Sequence, residues 1–321
     1  VSYWKSKFKI RDLEFPRFIS GPLDGYTDSP FRKLVRKFSK DELLYTEMRH
    51  VACVANENDE HKSIKFDLCE RPLNYQFAAN KIDFIDRAVE LVLEKGVDLI
   101  DLNIGCPAKN IVSSGSGSAL MDDLPRLEEI LKHFRKKIEH IPFTVKFRAG
   151  FKVENALDVA KLVQDCGVDA IAIHPRLQTQ KFSGIPDYGL AGKVKAQSCI
   201  PVLISGGIVD FETAKMVYEQ SGVDGYLIGQ AMYSKPWKLK ELYEHSLGNS
   251  FEVDNKVILE CALEHLDNLL EYYGREGFYM FRKHVPYYLK GMESASDAKN
   301  IIFSTDSVDI VKNELVRFLT K

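Results

Sequence analysis

At 321 residues the chain exceeds what a single hydrophobic core comfortably fills, so one large domain plus a small one is expected. Hydrophobic residues at 45% and charged residues at 28% exclude a disordered chain. With 44 Lys and Arg against 46 Asp and Glu the net charge is −2, which excludes global attraction to a polyanion and leaves only local clusters of cations for any nucleic-acid contact.

Residues 1–15 alternate basic and aromatic side chains without a continuous apolar stretch. No later segment approaches the ~18 uncharged apolar residues of a membrane span, so a cytoplasmic protein with no membrane partner is expected. Cys53, Cys69, Cys106, Cys166, Cys199 and Cys261 form neither a CxxC pair nor a zinc-type spacing, so a reducing setting and no metal are expected.

Apolar runs follow in chain order at 16–21, 43–48, 73–78, 97–103, 143–148, 168–175, 200–207 and 223–230. Between them lie stretches of helical periodicity, as in KIDFIDRAVELVLEKG, where Ile82, Ile85, Ala88 and Val89 share a face and Gly96 supplies the stop. Near-continuous apolar strands alternating with helices suit a parallel sheet covered by helices, and eight units predict an α/β fold of the (β/α)8 TIM-barrel type. An open doubly wound sheet is the alternative; GPLDGYTD after the first run is not its GxGxxG marker. Beyond residue 245 the strand signal ends, and Ile258, Ala262, Leu266, Leu269 and Leu270 align on one helical face. The spacing predicts a barrel over 1–245 and a small all-α domain over 246–321.

In a barrel, chemistry sits at the C-terminal strand ends. Those positions hold Pro22, Glu47, Gln76, Asn103, Cys106, Lys146, Arg148, His174, Arg176, Ser205, Gly206, Gly207, Gly229 and Gln230. The paired SGG and GQ turns after the last two strands predict a phosphate site. Lys146, on an otherwise apolar strand, needs an anionic or electron-rich partner, such as a flavin that becomes anionic on reduction. Gln76 then suits the flavin's pyrimidine edge, and His174 its ring or the substrate. GSGSAL at 115–120 reads as a flexible loop beside the site.

TEM, DLNIGCPAKN, GSGSALM, VKFRAGF, HPRLQTQKFSG and FRKHVPYYLKG, in this order along the chain, resemble the motifs of the tRNA-dihydrouridine synthases and cover most of the chain. The resemblance implies an FMN enzyme that reduces the C5–C6 double bond of selected uridines in tRNA, with NADPH or NADH as electron donor. It implies that Cys106 gives a proton to C5 while hydride reaches C6, and that Asn103 contacts the uracil with Arg176 nearby. It also implies that Gln76, Lys146 and His174 hold the flavin ring and that Ser205, Gly206, Gly207, Gly229 and Gln230 surround its phosphate, with Pro22 completing the cofactor set. Ser205, Gly207 and Gln230 depart from the family's usual Asn, Asp and Arg, and Pro175 from its Gly.

Two basic clusters exist: RKLVRKFSK at 32–40, which reads as a solvated helix face, and Arg282, Lys283, His284 and Lys290, where the resemblance points to tRNA. Arg282 and Lys283 are the expected tRNA contacts, Tyr287 and Tyr288 offer stacking or core packing, and a monomer is expected. The rival readings are an FMN barrel acting on a free pyrimidine and a catalytically inactive tRNA-binding scaffold.

Overall fold

The computed structural model describes residues 3–58 and 61–320. Strands β1 (Phe18–Ser20), β2 (Leu44–Tyr45), β3 (Leu73–Ala78), β4 (Leu99–Ile104), β5 (Phe143–Gly150), β6 (Ala170–Leu177), β7 (Val202–Ser205) and β8 (Gly225–Ile228) stand in ring order, paired in parallel from β2 round through β8 to β1. Between β1 and β2 the ring is bridged by the Ser20 N–H donating to Leu43 O at 3.0 Å and the Tyr45 N–H donating to Ser20 Oγ at 3.0 Å. The eight apolar runs are thus the eight strands of a parallel barrel. They read as continuous apolar segments because one face meets the barrel interior and the other the surrounding helices.

The helices that follow them in the chain are α1 (Ser29–Phe38), α2 (Val51–Ala55), α3 (Ile85–Glu94), α4 (Lys109–Ser113), α5 (Leu124–Lys137), α6 (Ala156–Asp165), α7 (Tyr188–Gln197), α8 (Phe211–Ser221) and α9 (Lys238–Ser246). Aspartates start several of them: Asp28, Asp123, Asp187 and Asp210 each accept from a backbone N–H of the first turn, a cap typically contributing ~1 kcal/mol.

A hairpin that the sequence pattern does not reveal closes the floor. Phe8–Ile10 and Leu13–Phe15 pair antiparallel, and Phe8, Ile10 and Phe15 pack with Ile19, Leu99, Ala172, Leu203 and Leu227 of the barrel interior. The bottom is therefore a packed plug, and the opposite end remains for chemistry.

Helices α10 (Asn255–Tyr273), α11 (Arg275–Arg282), α12 (Val285–Tyr288), α13 (Ala295–Ser304) and α14 (Val308–Leu319) share a second hydrophobic cluster. Leu266, Leu269, Phe278, Phe281, Ile302 and Leu315 form its centre, and Trp237 from the end of the barrel joins it. A Cβ on Gly277 would lie 2.0 Å from Leu269 O, so the α10–α11 corner requires glycine. The helices meet the barrel through Phe31 against His265 and through Ser234 Oγ, which contacts both His284 Nδ1 and His284 O. Among the described residues no helix is long and apolar enough to cross a membrane.

The basic run at 32–40 is a solvated face only at Lys37 and Lys40. Arg32 is buried on Glu70, Arg36 donates to the carbonyls of Glu42, Glu70 and Pro72, and Lys33 and Lys37 pair with Asp67 and Glu264. These cations hold α1 to its surroundings. Helical periodicity shows which residues share a face but not the carboxylates that another segment brings to it.

Candidate active site

Side chains alternate inward along each strand, so Gln76 on β3, Asp101 and Asn103 on β4, Thr144, Lys146 and Arg148 on β5, and His174 and Arg176 on β6 belong to the interior and mouth. The parallel register sets Gln76 opposite Asp101, Asp101 opposite Thr144, and Asn103 opposite Lys146. The result is a hydrogen-bonded chain. Gln76 Nε2 donates to Asp101 Oδ2 at 2.8 Å, and Asn103 Nδ2 donates to Gln76 Oε1 at 2.9 Å. Asn103 Oδ1 accepts from the N–H groups of Gly105 and Cys106, both at 2.9 Å.

Cys106 sits where β4 ends, on a loop held from several sides. Ser118 donates to Cys106 O through both its N–H and its hydroxyl, and Arg148 Nε donates to Gly105 O at 2.8 Å. Gly117 has φ +58°, and a Cβ there would lie 2.9 Å from Cys106 O. The GSGSAL segment is therefore a pinned turn, with Ser116, Gly117 and Ser118 buried, rather than a flexible loop. Its side chains and glycines wrap the cysteine carbonyl, a long-range contact that loop composition does not announce. Burial pushes the half-buried Cys106 thiol above the ordinary cysteine value, opposed in part by the Ala108 N–H and by Lys146. The thiol is protonated at neutral pH.

Lys146 lies deep in the protein but keeps partial access to the mouth, and among the described residues it has no hydrogen bond or ion pair. Burial, reinforced by Arg148, lowers its ammonium to about 8. His174 Nε2 lies 3.0 Å from Arg176 Nη1; since a guanidinium only donates, Nε2 accepts and the proton resides on Nδ1. Burial and three neighbouring cations hold this imidazole far below its usual value. Arg176 also grips Gly184 O, and Arg148 the carbonyls of Leu177 and Lys181, so both arginines brace the β6–α7 loop.

After β7, Gly206 and Gly207 have φ of +99° and +80°, and side chains there would strike His174 Nε2 at 2.6 Å and Tyr188 Oη at 2.4 Å. Ser205 Oγ is buried and has no partner among the described residues. A turn that excludes every Cβ, beside an unpaired hydroxyl and an unpaired lysine, fits a phosphate-bearing flavin. Pro22 and Gly229 lie at the neighbouring ends of β1 and β8, where the Gly21 N–H donates to Ile228 O at 2.8 Å. Gln230 lines a cleft of about 440 Å³ with Tyr233, Lys235, Tyr287 and Lys290, between the barrel rim and α12.

Lys283 faces the barrel rim, its Nζ 5.2 Å from the Tyr26 ring centroid. Arg282 does not: its guanidinium bonds Thr305 O and Asp306 and lies over Phe278 and Tyr279. Tyr288 is buried with His265, whereas Tyr287 packs against Tyr26 and Tyr233 at the rim.

A family model described as dihydrouridine synthase matches residues 18–320. The chain belongs to the dihydrouridine synthase family. A probable tRNA-dihydrouridine synthase of Rickettsia conorii is 32% identical over 323 residues, 97% of this chain and 96% of that protein. A tRNA-dihydrouridine synthase B of Pseudomonas aeruginosa is 32% identical over 287 residues, 88% and 86% of the two chains. Among solved structures, morphinone reductase superposes with TM-score 0.60 at 9% identity over 79% of this chain and 92% of its own. Histamine dehydrogenase from Rhizobium sp. 4-9 does so with TM-score 0.59 at 12% identity, over 83% and 51%. Both likenesses concern the barrel fold.

Within this family member, sequence reasoning overlooks Asp101. Its signal is a carboxylate within the mostly apolar run at 97–103, two positions before Asn103. It also overlooks the tyrosine contacts across the rim, which depend on how the helices dock.

Proposed function

We propose that this protein reduces the C5–C6 double bond of uridines in tRNA, with FMN as cofactor and NADPH or NADH as electron donor. The observation that carries the reading is the position of Cys106, on a loop pinned by Asn103, Ser118 and Arg148 at the mouth of a dihydrouridine synthase barrel. Relatives of nearly full overlap bear that activity in their names.

The C5–C6 bond of uracil is conjugated to the C4 carbonyl, so reduction needs hydride at C6 and a proton at C5. Reduced FMN supplies the hydride when bound. Cys106 supplies the proton to C5, and its thiolate regains one from water, so that two hydrogens are added and nothing leaves. Asn103, whose oxygen holds the Cys106 loop, offers the base its second amide hydrogen. Arg148 and Arg176 give the mouth a positive potential that stabilises charge building on the C4 carbonyl. Lys146, Gln76 and His174 hold the flavin ring with Pro22 beside it. Ser205, Gly206, Gly207, Gly229 and Gln230 receive the phosphate.

We assign residues 1–245 to catalysis and the helical residues 246–321 to tRNA, whose uridine must leave its stack to enter the mouth. Lys283 and Lys290 are the cations that support this assignment, because both lie on the seam beside tyrosine rings. Incubating FMN-loaded protein and NADPH with unmodified tRNA or with free uracil tests the substrate class. Dihydrouridine in tRNA and none from free uracil is expected; the reverse selectivity contradicts the reading.

A further inference from the structure

The chain of bonds beneath Cys106 has a direction. An amide side chain is nearly symmetric in shape, so only its partners decide which end carries oxygen and which nitrogen. Asp101 is fully buried; burial pushes its carboxyl up, bonds from Thr144 and Gln76 and the charge of Lys146 draw it back, and both of its oxygens face donors, the arrangement of an acceptor-only carboxylate. One of its oxygens receives the Thr144 hydroxyl at 2.5 Å, which in turn accepts Asn74 Nδ2 at 3.0 Å. The other must be met by a donor, so Gln76 turns its nitrogen down and its oxygen up. That oxygen demands a donor from Asn103, whose own oxygen is thereby aimed at the N–H groups of Gly105 and Cys106.

We infer that Asp101 is a positioning residue for the reaction: through the fixed polarity of Gln76 and then Asn103, its carboxylate holds the backbone turn that presents the Cys106 thiol. The inference rests on the reading of Cys106 as proton donor. Reversing either amide sets nitrogen against N–H at one junction or oxygen against carboxylate at the other, inside a region closed to water where unmatched polar groups are costly. The same carboxylate fixes which edge of Gln76 faces the mouth, so one buried group orients the amide assigned to the cofactor and the turn assigned to the substrate.

Replacing the carboxylate by its isostere, Asp101→Asn, leaves the volume unchanged but lets the chain run in either direction. The double variant Asp101→Asn with Gln76→Glu moves the acceptor-only group one link upward. The carboxylate at position 76 then accepts from both position 101 and Asn103, and the wild-type polarity at Asn103 returns. The readout is the pH dependence of Cys106 alkylation by iodoacetamide in the apo protein, followed by peptide mass spectrometry because Cys53, Cys69 and Cys199 are also exposed.

Wild type is expected to alkylate with a midpoint above the ordinary thiol value. The single variant should move that midpoint down toward the ordinary value and react severalfold faster at neutral pH, and the double variant should return to the wild-type profile. In assays with tRNA the single variant should lower kcat by up to about 100-fold with KM for tRNA unchanged, as a displaced reacting group does. An alkylation profile identical in wild type and Asp101→Asn overturns the inference, as does a double variant no closer to wild type than the single. If Asp101→Asn does not fold, the double variant alone decides by matching or missing the wild-type profile. Alkylation needs neither cofactor nor tRNA, so its failure is distinguishable from failure of the proposed reaction.

Discussion

Lys146 and Cys106 carry opposite electrostatic conditions within one mouth. A lysine lowered to about 8 is charged below that pH, so FMN affinity is expected to fall as pH rises through about 8, where the ammonium loses its proton. Lys146→Met should abolish this pH dependence and weaken FMN binding. Fluorescence titration of FMN between the ordinary histidine and lysine values, from about pH 6.5 to about pH 10, checks both signs. The raised Cys106 thiol acts only when protonated, so turnover should stay level through neutral pH and decline above the ordinary thiol range of about 8.5. At this scale the sequence was most informative: a cysteine after Asn and Gly at a strand end, and a lysine in an apolar run, each name a chemical need. The partners that answer those needs were hidden, because Asp101 and Asn103 stand 25 and 27 positions from Gln76 in the chain and meet it only through the parallel register.

Elements set what those residues reach. Gly207 permits the turn after β7 at φ +80°, and Gly207→Ala would push against Tyr188 Oη as well as strain the backbone. The expected cost is roughly 1–3 kcal/mol together with loss of FMN binding, read by melting and by flavin absorbance. The strands were legible because each is an apolar run bounded by turn residues. The floor hairpin was not: its two three-residue strands are too short for a period to show, and charges occupy every outward position. The order of the glycine-rich turn after Cys106 is hidden from the sequence for a related reason, since it derives from bonds to a carbonyl 12 residues away rather than from composition.

At the scale of the whole molecule, the helical segment and the barrel share a seam of aromatic rings and buried histidines rather than a linker. Tyr26, Tyr233 and Tyr287 meet there, and His284 is fixed by Ser234. Adjacent cations on that segment are expected to have different tasks. Lys283→Ala should weaken tRNA binding and reduce the salt dependence of affinity by about one unit of slope. Arg282→Ala should leave that slope unchanged and lower stability, because its guanidinium joins Thr305 and Asp306 within the helices. Binding titrations at several salt concentrations separate the two. The sequence placed both arginine and lysine in one basic cluster; only the helical phase and docking angle assign one to the rim and one to the interior of its own unit.

The central claim, a tRNA uridine reduction with Cys106 as proton donor, is tested most directly by nucleoside mass spectrometry of unmodified tRNA after incubation with NADPH and FMN-loaded wild type or Cys106→Ala. Wild type should produce dihydrouridine, and the alanine variant, binding tRNA as tightly, should produce it at least ~100-fold more slowly, as expected for loss of a general acid. Equal rates from the two proteins, or no dihydrouridine from loaded wild type, would contradict the account.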